Sequence, residues 1–255
     1  MSTEVPLPSR ILERYEAAFF HRSIDLGLTP QSLAEANLLF ADRGWFASPE
    51  LTVNMLGPQS PRVSGIVWKS PDGCWQLFLR DQLVSLVFAS RGDGTEPSFT
   101  AQQFNEVAAQ VLTQALVAHG LTATRLVFKL RELIPEETIR DARHLQQRLF
   151  PMLPKNERMA MPEFVWRYVS RFSHLIGQRQ ELINASPMLE QFEQPGLFQG
   201  QGQPQHLYLL RLTLELNTSA TDLTPRFGPK ETAAFYTEVA AWQDSLRADV
   251  LAVLA

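Results

Sequence analysis

Apolar and polar positions alternate most clearly from Phe164 to Ile176. Phe164, Trp166, Tyr168, Phe172, His174 and Ile176 fall on one side, and Val165, Arg167, Val169, Arg171, Ser173 and Leu175 on the other. A period of two with β-branched and aromatic residues, no proline and a closing Gly177 predicts one long β-strand with an apolar face. The opposite face carries Arg167 and Arg171, about 13 Å apart in an extended chain. A second alternating run, Leu207 to Leu216, is its expected neighbour.

The remaining elements read as cover or continuation of such a sheet. Ile11, Leu12, Tyr15, Ala18 and Phe19 fall at helical spacing, with Ser9 as N-cap, so Ser9 to His21 is expected to be a helix. Thr29-Pro30 signals a second helix, ending near Gly44. From Leu51 to Phe88 four short strands follow, with Ser70-Pro71-Asp72-Gly73 as a hairpin turn. Thr100 opens a helix whose apolar stripe of Phe104, Val107, Ala108, Val111, Leu112, Ala115 and Leu116 runs to a stop at Gly120. Thr124 to Leu133 reads as a strand, and Pro135 to Phe150 as a helix. Gln178 to Glu193 fits a strand, a hairpin or both, Pro195 to Pro204 reads as a flexible linker, and Pro229 starts a closing helix.

The expected fold class is therefore α+β, with antiparallel sheets covered by helices. The layout divides into an N-terminal helical segment at 1–50, a first sheet with its helix at 51–122 and a second sheet with helices at 123–255, together one compact unit. It suggests two similar strand-strand-strand-helix halves, although no repeat is visible in the residues.

A meander with an Asp-Gly turn, a helix, and a strand preceded by an alternating Thr-Arg-Leu resemble a sporadically distributed bacterial family of unknown function and similar length. Members tend to carry Leu-Arg-Tyr-Ile-Asn where this chain has Phe128-Lys129-Leu130-Arg131-Glu132. They tend to carry a Tyr-Trp pair near its Ser98-Phe99-Thr100. The resemblance covers the layout and implies a bacterial protein, but supplies no chemistry.

Composition narrows the classes. Apolar runs stop short of the ~18–20 residues a membrane helix needs, and the first residues lack the basic and apolar regions of a signal peptide, so a cytoplasmic protein is expected. One cysteine, Cys74, rules out an internal disulfide and a cysteine-based zinc site, and its position predicts a small buried hydrophobe. Charge is uneven: residues 120–180 hold 11 basic and 6 acidic side chains within a chain of net charge −4.

Candidate chemistry is sparse. None of the five histidines stands in a nucleophile-elbow context, and His174, on the apolar face of the long strand, reads as a hydrogen-bonded core residue. His119 reads as a helix C-terminal cap favoured by the dipole. Glu137, Asp141 and His144 share a helical face, but interleaved arginines make it a salt-bridged surface more readily than a metal site. Gly200 and Gly202 precede a strand, not a helix, so no phosphate loop is expected and no cofactor is implied.

What remains is the basic set Arg125, Lys129, Arg131, Arg167 and Arg171. If their strands are neighbours, these share one sheet face, and forked arginines suit carboxylates or phosphates. The aromatics of 164–172 lie on the other face, which disfavours nucleic acid. The expected function is a protein-interaction or regulatory module without catalysis, meeting an acidic protein partner or an acidic segment of its own chain. A nucleic-acid or phosphate-ligand binder, or a hydrolase using the basic face, is the alternative.

Overall fold

The computed structural model describes residues 11–22, 37, 48–54, 62–90, 100–135, 149, 164–195 and 206–254. These form one antiparallel sheet of ten strands, with two long helices on one face. The strands are β1 (Ile11–His21), β2 (Ser48–Asn54), β3 (Arg62–Lys69), β4 (Trp75–Arg80), β5 (Leu83–Ala89), β6 (Ala123–Pro135), β7 (Phe164–Arg167), β8 (Ser170–Ile176), β9 (Arg179–Pro195) and β10 (His206–Thr218). The helices are α1 (Ala101–Ala118) and α2 (Pro229–Leu254). The α+β class expected from the residue pattern is the class observed.

Spatial order is β2-β3-β4-β5-β1-β6-β10-β9-β7, with β8 following β7 along the same side of β9. From the central β1–β6 pair outward, the order reads β5, β4, β3 on one side and β10, β9, β7/β8 on the other. In each direction the strand beside the central pair leads directly into a helix, β5 into α1 and β10 into α2.

Residues 11–21 are the main correction: they form a strand at the centre of the sheet, not a helix laid upon it. Tyr15, Ala17 and Phe19 face the helices, while Ala18 is buried on the opposite face. A strand enclosed on both faces reads as a near-continuous apolar run, and Ala17-Ala18-Phe19-Phe20 satisfies helical spacing equally well. Pairing with β5 and β6 decides it.

The run from Phe164 to Ile176 is likewise corrected, from one strand to two. Register is continuous, Arg167 opposing Met188 and Ser170 opposing Ala185, so Tyr168 falls opposite Pro187. The Tyr168 N–H donates to the Pro187 carbonyl at 3.4 Å, but proline has no N–H to return, and the ladder breaks. Nor is β10 its neighbour: β9 lies between, and β7 and β8 form an edge of the sheet. Gly177, at φ +61°, makes the β8–β9 turn.

Packing follows from the alternation. Phe104 of α1 stacks on Tyr15 at 5.1 Å and on Trp75 at 5.7 Å, at the heart of the first half. α1 opens with the expected Thr100, whose Oγ1 accepts from the Gln103 N–H while Gln103 Oε1 accepts from the Thr100 N–H. Tyr236 of α2 is fully buried and donates to the Ala18 carbonyl at 2.6 Å, with the Val127 carbonyl at 3.3 Å. It thereby pins α2 to the central pair. Cys74 is buried, as its position implied.

Two ion pairs tie the C-terminal segment to the helix-bearing face. Arg247 of α2 forks onto the buried Glu132 of β6. Arg226, in the loop before α2, has a side chain 1% exposed and donates to Glu181 Oε1 at 3.1 Å. The same guanidinium donates to the carbonyls of Thr124, Asp222, Thr224 and Ser219, so its buried N–H groups are shared among five acceptors.

Several expectations fall outside the described residues: the helix from Thr29 to Gly44 apart from Asn37, the helix from Pro135 to Phe150 apart from Leu149 and from Pro135, which instead ends β6, the Glu137-Asp141-His144 face, and the Pro195–Pro204 linker beyond its first residue.

Candidate functional site

The face opposite the helices differs along the sheet, and the expected basic residues lie on its second half. On β6, Leu126, Phe128 and Leu130 enter the core, which turns Arg125, Lys129 and Arg131 to the outer face. Register carries that parity to Arg211, Thr213, Glu215 and Asn217 on β10, to Asn184, Ser186, Met188 and Glu190 on β9, and to Val165, Arg167, Val169 and Arg171 on β7 and β8. All five basic residues thus share one face. Their strands are not neighbours: β10 and β9 separate β6 from β7 and β8, about 14 Å across at ~4.8 Å per strand.

The intervening strands divide the set. Glu215, directly opposite Lys129, lies 3.3 Å from its Nζ and 3.4 Å from Arg125 Nη2. Arg125 also stands over the Phe20 ring at 5.3 Å. Asn217 Nδ2 donates to Glu215 at 2.9 Å, Asn184 Nδ2 to Asn217 Oδ1 at 3.1 Å, and Arg171 Nε to Asn184 Oδ1 at 3.1 Å. One chain of hydrogen bonds therefore crosses four strands, from Arg171 to Arg125. Arg211 is likewise met by Glu13 at 2.9 Å and Glu190 at 3.8 Å.

Arg125 and Lys129 are accordingly compensated within the chain. Arg167 and Arg171 are not: both are exposed, and their Nε atoms are held by the neutral acceptors Ser186, at 2.8 Å, and Asn184. Among the described residues no carboxylate pairs with either, nor with the exposed Arg131. The two edge arginines are thus each held through Nε on an exposed side chain. Around them Val165 is 60% and Val169 53% exposed.

Glu215, Asn217, Asn184 and Ser186 escaped the sequence reading. The signal for Glu215 was present, because Leu210, Leu212, Leu214 and Leu216 alternate with Arg211, Thr213, Glu215 and Asn217. The asparagine bridge depends on the β9–β10 register, which no residue pattern shows.

The histidines form no catalytic constellation among the described residues. His174 pairs with Glu238 of α2 at 2.6 Å and meets the Trp242 ring at 4.5 Å. It is hydrogen-bonded as expected but half-exposed, because the edge strand leaves that side open. Among the described residues no hydroxyl or thiol engages its other nitrogen. His119 caps α1, yet burial and then the nearby His21 hold its pKa below the ordinary histidine value, so the neutral imidazole is favoured over a cation serving the dipole. No group of three or more His, Cys, Asp or Glu among the described residues is arranged to hold a metal ion.

Fold and site together define, among the described residues, an α+β protein with an antiparallel sheet, helices on one face and a charged, partly exposed opposite face over its second half. Among the described residues no helix is long and apolar enough to cross a membrane. No protein-family model matches the chain, and no curated protein matches it.

Proposed function

We propose that this chain is a protein-interaction module without catalysis, acting in the bacterial cytoplasm and binding an acidic protein partner at the second half of its outer sheet face. One observation carries the reading: among the described residues Arg167 and Arg171 present guanidinium groups held at Nε with no carboxylate partner, whereas Arg125 and Lys129 are compensated through Glu215. Orienting a guanidinium without neutralising it keeps its forked donors available to an incoming carboxylate. The half-buried aromatics Trp166, Tyr168 and Phe172 belong to the opposite face, which favours a protein over a stacked nucleic acid.

The test is affinity capture of the tagged protein from its source cells, with and without nuclease, beside the Arg167→Glu/Arg171→Glu variant. A stoichiometric acidic protein that survives nuclease and is lost from the variant is the expected result. Capture unchanged by charge reversal, or abolished by nuclease, would overturn the reading.

A further inference from the structure

The β7–β8 edge that carries Arg167 and Arg171 also has, among the described residues, an unused hydrogen-bonding side. In an antiparallel pair, alternate residues direct both N–H and C=O toward the neighbour, and the others direct theirs away. Tyr168 bonds inward to Pro187, and register holds the same parity through β7 and β8. Val165, Arg167, Val169, Arg171 and Ser173 therefore aim their backbone groups at the open edge. All five are exposed, and among the described residues nothing pairs there. Edge strands with free backbone groups are templates for an added strand.

We infer that the β7–β8 edge receives an extended acidic segment of a partner protein as an eleventh strand. This rests on the acidic-partner reading above and specifies how the partner is held. The backbone groups of Val165 to Ser173 pair with the segment. Acidic side chains four residues apart lie beside Arg167 and Arg171 on the outer face, with a β-branched residue beside Val169. On the other face the segment's intervening residues cover Trp166, Tyr168 and Phe172, which sit half-buried at the end of the core. A second copy of this chain does not fit, because pairing two such edges gathers four arginines on one face.

The probe is a short capped peptide with two glutamates four residues apart, β-branched and apolar residues between them. Its binding is read by amide resonance shifts and by tryptophan fluorescence, with Trp166→Phe to locate the signal. The expected result is binding that weakens about ten-fold or more when the peptide's edge-facing amides are N-methylated without change of charge. A lysine-for-glutamate peptide should bind only the Arg167→Glu/Arg171→Glu protein. Equal binding of methylated and unmethylated peptides overturns strand addition and leaves the acidic-partner reading standing. No binding of either peptide, with cellular capture still dependent on the two arginines, also overturns strand addition alone. Loss of both removes both.

Discussion

Among the described residues each side of the β1–β6 pair holds strands followed by one helix, but the two sides differ in the face opposite the helices. In the first half the centre of that face is buried, at Ala18, Val67, Ser85 and Val87, with half-buried Glu16, Gln76 and Phe78 around it. In the second half the corresponding face carries Arg125, Lys129, Arg131, Arg167, Arg171, Arg211, Glu190 and Glu215, of which Arg131, Arg167 and Arg171 are exposed and the others half-buried. The helix-bearing faces differ in the reverse sense. The first is sealed by aromatics around Phe104, while the second embeds Glu132 and Glu181 and answers each with an arginine. Burial on both faces commits the first half to holding the fold together. A partly exposed face leaves the second half able to carry charge at little cost to stability.

The largest effects should come from giving both halves the same insult. Val87→Glu places a carboxylate at a position 3% exposed and directly opposite Glu16, and is expected to cost about 3–5 kcal/mol. Val169→Glu, also on the outer face but on the second half, should change stability by no more than about 0.5 kcal/mol. Urea midpoints of the two variants decide it, and comparable losses would erase the distinction between the faces.

Next in size is the buried arginine of the second half. Arg226→Met strands Glu181 in the core and should cost about 3 kcal/mol. Adding Glu181→Met should restore much of that loss, since removing both charges is far less costly than removing one. A double variant no more stable than the single would mean that Arg226 acts through the loop carbonyls it gathers, not through Glu181.

Which of these contrasts could be read along the chain follows from their range. The meander, Thr100 as a cap, Gly120 as a stop and the two faces of 164–176 are local, and local periodicity showed them. The strand character of 11–21 is not local, because its four consecutive apolar residues satisfy either period until β5 and β6 enclose them. Pro187 interrupts a strand lying some twenty residues earlier, a consequence only of register. The basic set was legible as a face. Its division into compensated and uncompensated members was not, since Glu215, Asn217 and Asn184 come from the two strands inserted between.

Tyr236→Phe probes where the halves meet. Its hydroxyl donates to the carbonyl of Ala18, at the β1–β6 pair, and the substitution removes that bond while keeping the ring. A loss of about 1 kcal/mol is expected, with no change in peptide binding at the distant edge. A change at the edge as well would show that the halves communicate through α2.

The smallest effect lies at the rim of the first half, where His119 ends α1 near His21. Burial, and next the neighbouring imidazole, lower the folded-state pKa of His119 below the reference value of 6.5. At pH above that value both folded and unfolded chains hold the neutral ring, and its contribution to stability is complete. As pH falls below it, the unfolded chain takes up the proton first, so stability declines until the folded-state pKa is passed. The wild-type Tm should therefore drop between pH 7.5 and 5.5 by more than that of His119→Gln, which cannot titrate. Equal drops would mean that protons taken up elsewhere govern this range, and that the first half's closure extends to its rim without a titrating group.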